Sequence, residues 1–234
     1  MRHARSRPTP PTQRRLIFKS VDDDGLLRNG NADAAWLLIL AHGAGQPMDS
    51  PFMTGIATNV AAADHEIAVW RFNFAYMAQA QAYGRRGAPS PAAALRDEWQ
   101  RLIQCGIATG RAPARIVIGG KSLGGRIASM VAEQSGVGGL VCLGYPFHPP
   151  SKRQQLRTAH LASLAVPTLI CQGERDTFGS RTEVEDYELS QSIQLHWLAD
   201  GDHSFKPRKR SGHTEADNLA AASQMIVDFI RRLA

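Results

Sequence analysis

The sequence predicts an α/β fold, a mostly parallel central sheet with helices on both faces. Three observations carry this. Apolar runs of strand length alternate with segments of helical period, the order expected when crossover helices join parallel strands. The run 35–42, AWLLILAH, is continuously apolar, as a central strand buried on both faces should be. The chain has 234 residues, 43% of them hydrophobic, enough for one domain with a sizeable core.

The elements follow in order. RLIFKS (15–20) reads as a first strand, and an Asp/Gly/Asn-rich turn region runs on to Asn31. After the strand 35–42, Ser50-Pro51 pairs a helix cap with proline at the first helical position, so a helix is expected to about Ala63. EIAVWRF (66–72) is the next strand. Residues 73–89 read as an irregular, glycine-containing excursion, and Ser90-Pro91 repeats the cap signal. Leu95, Trp99, Leu102, Ile103 and Ile107 then share one helical face.

RIVIGG (115–120) is a strand and GRIASMVAEQ (125–134) a helix. GLVCLG (139–144) and PTLICQG (167–173) are strands. Ser180 and Glu183 form a capping box ahead of a short helix, and His160 reads as part of a surface helix. IQLHWL (193–198) alternates like a strand, and Thr214 with Asp217 opens a C-terminal helix.

Charge is uneven. The formal net charge is +6, and five arginines within residues 1–15 leave the rest near neutral. Residues 1–14 are expected to form a disordered basic tail and 15–234 the folded domain. A near-neutral body argues against a nucleic-acid groove, which needs a basic face on the fold itself. No apolar run approaches the roughly 20 residues of a membrane helix. Cys105, Cys142 and Cys171 lack metal-like spacing; free thiols in a reducing compartment are expected, hence a cytoplasmic location.

The segment GGKSLGG (119–125) admits two readings. A phosphate-binding loop needs glycine five residues before Gly120, where Arg115 stands inside a strand pattern. Gly120-Lys121-Ser122-Leu123-Gly124 instead matches G-x-S-x-G between a strand and a helix, the turn that presents a nucleophilic serine. The turn is sharp enough that neighbours two residues to either side should crowd each other, which Gly120 and Gly124 would relieve.

A serine needs a base, and the chain order for this turn is serine, acid, histidine. His203 follows the strand 193–198 at its carboxyl end, and Asp176 lies in the loop after the strand 167–173. Glu174 competes with Asp176 but sits nearer the strand end. Oxyanion donors are expected from the backbone N–H of Leu123 and of Ala44 in the HGAG turn (42–45). Gly43, Phe147 and His148, with Tyr76 and Met77, are expected along the substrate walls. Lys206, Arg208, Lys209 and Arg210 read first as a solvated loop and second as an attraction for anionic substrate.

With AHGAG, GGKSLGGR, GYPFHPP, GERDTFG and DGDHSFKPRKRSG in place, residues 15–234 resemble an α/β-hydrolase. The chain is similar to a small lidless group near the dienelactone hydrolases, whose animal relatives include a testis-expressed protein and a subunit of the non-specific-lethal histone acetyltransferase complex. The resemblance implies an α/β-hydrolase fold without a large lid, and Ser122, Asp176 and His203 as a triad. The expected activity is hydrolysis of a small-molecule ester, thioester or related acyl bond, with no metal or cofactor and no nucleic-acid or membrane partner. The alternative is a non-catalytic scaffold of the same fold. Dienelactone chemistry is not implied, because serine stands where that enzyme group uses cysteine.

Overall fold

The computed structural model describes residues 25–84 and 87–234. The tail at 1–14 and the strand expected at 15–20 lie outside the described residues. In spatial order the sheet is β1 (Leu26–Asn29), β3 (Ile67–Phe72), β2 (Trp36–Ala41), β4 (Ile116–Lys121), β5 (Gly139–Leu143), β6 (Thr168–Gly173) and β7 (Ile193–Leu198). β1 runs antiparallel to β3, and every other neighbouring pair is parallel.

The central strands are buried throughout, yet their pleat still sorts residues between two cores. Leu37, Ile39, Ile116, Ile118 and Cys142 face one side, with Leu95, Trp99 and Ile103 of α3 (Ala92–Ala108) and Ile127 of α4 (Leu123–Ser129). Leu38, Leu40, Val117, Val141 and Cys171 face the other, with Ile56 and Val60 of α1 (Pro51–Ala63) and Ile226 and Ile230 of α6 (Glu215–Arg232). An all-apolar strand therefore keeps period 2 because each face has its own helix layer to fill.

α1 starts as its sequence dictates: Pro51 takes the first turn and Ser50 Oγ accepts the Met53 amide at 3.4 Å. Thr214 and Asp217 close a reciprocal capping box on α6, and Ser180 and Glu183 do so on α5 (Arg181–Val184).

Five expectations fail. The turn region before Asn31 contains β1, which pairs along Leu26–Asn29 with β3. The segment 73–89 contains α2 (Ala75–Ala82), whose Ala75 amide donates to Glu98 of α3 at 2.7 Å. α3 is capped at Pro91 rather than Ser90 and has no side-chain cap bond. His160 lies in a turn, with its ring 2.8 Å from Ser129 Oγ. The helix expected at 125–134 is also displaced: α4 begins at Leu123, stops at Ser129, and a short 3₁₀ turn follows at Glu133–Ser135.

The register aligns strand ends. Ala41 pairs with Gly120, Lys121 with Leu143, and Gly173 with Leu198. The loops after β2, β4, β6 and β7 therefore leave at one rim, where functional residues gather in open α/β sheets. Between β5 and β6 the chain forms turns and no helix, so that connection supplies no lid over the rim.

Candidate active site

Ser122 occupies the step from β4 to α4 with φ 49° and ψ −110°, a conformation that only a tightly constrained turn imposes on a side-chain-bearing residue. Its amide donates to Leu143 O at 2.9 Å and its carbonyl accepts the Arg126 amide at 2.9 Å. The crowding differs from the expected one. A Cβ on Gly120 would stand 2.0 Å from Ala41 O, and one on Gly124 would stand 2.5 Å from the same oxygen. These two glycines make room for strand β2 rather than for each other. Gly125 does pack close on the turn, since a Cβ there would stand 2.6 Å from Gly120 O.

His203 Nε2 lies 2.9 Å from Ser122 Oγ, and its Nδ1 lies 2.8 Å from Asp176 Oδ2. The imidazole is partly exposed and the carboxylate fully buried. Asp176 is nonetheless satisfied, because Gln172 Nε2 donates to Oδ2 at 2.9 Å and the Phe178 amide donates to Oδ1 at 2.8 Å. The Phe178 ring lies over the imidazole, with centroids 4.3 Å apart. With its proton on Nδ1 the ring presents an acceptor nitrogen to the serine.

The neighbouring carboxylates Glu174 and Asp202 are occupied elsewhere. Glu174 accepts the Asp200 amide at 2.9 Å and pairs with Arg181 at 3.2 Å. Asp202 Oδ1 accepts the Ser204 and Lys206 amides at 2.8 and 3.0 Å, which shapes the histidine loop.

A cleft of about 280 Å³ opens above Ser122. Gly43, Ala44, Phe52, Met53, Lys121 and Phe178 are among its walls, beside Ser122 and His203. A larger cavity of about 620 Å³ lies at the β1 edge, but its lining carries no hydroxyl–imidazole pair.

His42 orders the loop that bears Ala44. Burial lowers its pKa and keeps the ring neutral. Its Nε2 accepts the Phe74 amide at 3.1 Å, so Nδ1 carries the proton and donates to Gly43 O at 2.6 Å. Tyr76 Oη donates to Ala44 O at 3.3 Å. With both carbonyls turned to these donors, the loop backbone is fixed beside the serine. Leu123 is the first residue of α4, so its N–H has no acceptor within that helix.

The walls expected at 147 and 148 are misplaced. Phe147 is fully buried, packed on Tyr145 and against Gly179. His148 is buried as well, with its amide on Phe178 O at 3.2 Å. Both brace the Asp176 loop from behind, because the chain after β5 turns inward beneath it. Tyr76 and Met77 are buried and do not line the cleft. Arg208 is spent on Asp200, with Nε at 2.8 Å from Oδ1.

A family model described as an alpha/beta hydrolase domain matches residues 34–231. The chain belongs to the alpha/beta hydrolase domain family. This α/β hydrolase has the fold of several solved structures. An alpha-beta serine hydrolase homologue from Coxiella burnetii aligns with a TM-score of 0.65 at 17% identity, over 89% of this chain and 90% of that one. A lidless a/b serine hydrolase from Xanthomonas campestris gives 0.61 at 18%, over 88% of each chain. A dienelactone hydrolase from Anabaena variabilis gives 0.61 at 20%, over 91% and 94%.

Several residues of this α/β hydrolase's site escaped the sequence reading. Phe178 and Gln172 act through Asp176 and His203, and only their places beside the acid loop hinted at it. Phe52 and Met53 come from the first turn of α1, and no motif in the sequence singles them out. Among the described residues, no helix is long and apolar enough to cross a membrane.

Proposed function

We infer that this chain is a serine hydrolase that cleaves a small ester, thioester or related acyl bond through an acyl-enzyme. The carrying observation is the continuous chain from Ser122 Oγ to His203 Nε2 at 2.9 Å and from His203 Nδ1 to Asp176 Oδ2 at 2.8 Å. In this reading His203 removes the hydroxyl proton as Ser122 attacks the acyl carbon, and Asp176 holds the ring and balances the imidazolium. The leaving group then takes that proton. Water, deprotonated in turn by His203, releases the acid and restores the serine.

The oxyanion is assigned to the N–H groups of Leu123 and Ala44. The modest apolar cleft favours short acyl groups, and Gly43 admits the substrate carbonyl close to Ser122: a Cβ there would stand 3.7 Å from the serine Cβ. The chemistry calls for no metal or cofactor. Within the family, we place the chain beside the lidless group that includes the testis-expressed relatives, acting on a small molecule in the cytoplasm.

A fluorophosphonate probe tests the reading. Wild type should be labelled and should hydrolyse p-nitrophenyl acetate, and Ser122→Ala should lose both. A folded wild type that is neither labelled nor active would make the chain a non-catalytic scaffold.

A further inference from the structure

Lys121 immediately precedes the serine, yet its side chain turns away from solvent. Its stem lines the cleft, and Nζ donates to the main-chain carbonyl of His203. The ammonium lies over two rings, 5.3 Å from the Phe52 centroid and 5.7 Å from that of Phe205. The fold reserves space for it. Gly144 has φ +64°, and a Cβ there would stand 2.7 Å from Lys121 Nζ and 3.0 Å from His203 O. A buried cation is costly unless it is held by specific partners, and here one partner is the backbone of the residue that faces the serine.

The link spans 82 positions of sequence. It joins the elbow to the loop after β7, whose backbone is itself taut: Asp200 and Phe205 both have positive φ. Phe205 is fully buried against Phe52 at 5.1 Å between centroids. The loop is therefore pinned on either side of His203, by the Phe205 ring below and by Lys121 at the carbonyl.

Resting on the hydrolase reading above, we propose that Lys121 is a positioning residue whose ammonium clamps the His203 backbone to the serine elbow, and that losing its proton slackens the clamp.

Burial is the largest influence on Lys121 and lowers its pKa to about 8, against the smaller opposing pull of Asp176 and Asp202. The groups facing it are Asp176 from the loop after β6, Asp202 and His203 from the loop after β7, and the uncharged Phe52, Gly144 and Phe205. Below this pKa the ammonium is present. As pH rises through it, the charge that strengthens both the carbonyl bond and the ring contacts is lost.

The test follows the rate of fluorophosphonate labelling, and kcat and KM for p-nitrophenyl acetate, from about pH 6 to about pH 9.5. It uses the full chain as wild type, Lys121→Met and Lys121→Gln. Wild type should lose kcat as pH rises through about 8, with KM steady. Both variants should be at least about tenfold slower in kcat on the acid side of that limb and should lack the limb itself.

Variants that match wild type, or that keep the same limb, would overturn the role of Lys121 and leave the hydrolase reading intact. A wild-type labelling rate that stays flat through the limb would do so without any variant, should the substitutions fail to fold. A wild type that is neither labelled nor active at any pH would remove the hydrolase reading, and this inference with it.

Discussion

Gln172 donates its side-chain amide to Asp176 Oδ2, the same oxygen that meets His203 Nδ1. The amide nitrogen also reaches Tyr145 O at 3.2 Å and Gly179 O at 3.1 Å, while Gln172 Oε1 accepts the Tyr145 amide at 2.7 Å. One buried side chain at the end of β6 thus ties the acid to the chain leaving β5. Gln172→Leu strands several buried polar groups at once and should cost on the order of 3 kcal/mol, read by urea unfolding. It should also slow labelling of Ser122, because the carboxylate loses its lateral support.

The serine itself holds stored strain. Ser122→Gly removes both the hydroxyl and the Cβ that makes φ 49°, ψ −110° unfavourable. Relief of roughly 1–3 kcal/mol, less the 0.5–1 kcal/mol that glycine loses in entropy, should leave the variant about 1 kcal/mol more stable than wild type. It should also be inactive. Differential scanning calorimetry of Ser122→Gly beside Ser122→Ala measures the difference, which disappears if the turn is relaxed.

His42 orders the loop that bears Ala44, the proposed oxyanion donor. His42→Ala frees the Gly43 carbonyl and leaves the buried Phe74 amide without its acceptor. The expected loss is about 100-fold in kcat, the scale of one missing oxyanion donor. Esterase kinetics on the folded variant check it; an unchanged kcat would separate the loop's order from catalysis.

Acid should weaken the fold before the carboxylates titrate. Burial lowers the pKa of His42, His160 and His196 below the usual 6.5. The unfolded chain therefore takes up protons first as pH falls through 6.5, and the contribution of these histidines to stability declines below that point while staying level above it. Urea unfolding at about pH 7.5 and about pH 5.5 should show lower stability at the acid value, with a smaller drop in His160→Gln.

Two glycines at the rim should respond oppositely. Gly124→Ala drives a methyl to 2.5 Å from Ala41 O and 2.7 Å from His42 O, both fixed backbone. It should destabilise by more than about 3 kcal/mol. Gly43→Ala meets nothing closer than 3.4 Å and should fold normally. Its methyl faces Ser122, so it should raise KM for bulky acyl groups more than for acetyl. Thermal melts and an ester series distinguish the two.

What the sequence showed depended on whether the cause was local. α1 announces itself through Ser50-Pro51, and the elbow through its G-x-S-x-G spacing between a strand and a helix, although the crowding that Gly120 and Gly124 relieve comes from β2. The strand at 116–121 stands out by its apolar run and that at 193–198 by its alternation. α2 did not, because its first-turn acceptor is Glu98 from another helix. β1 did not, because four residues between Asp- and Asn-rich flanks look like turn until β3 supplies a partner. Ser122, Asp176 and His203 could be ranked by strand order. Phe147 and His148 could not be placed, because nothing in GYPFHPP tells whether a loop leaves a strand outward or folds under its neighbour.

The bare rim between β5 and β6 has a kinetic corollary. Among the described residues no segment must swing aside before a substrate arrives, so encounter with the serine is a matter of diffusion to a ready-made surface. Selection among acyl compounds then rests on the fixed contours of a few short loops, and an oil–water boundary should bring no jump in rate.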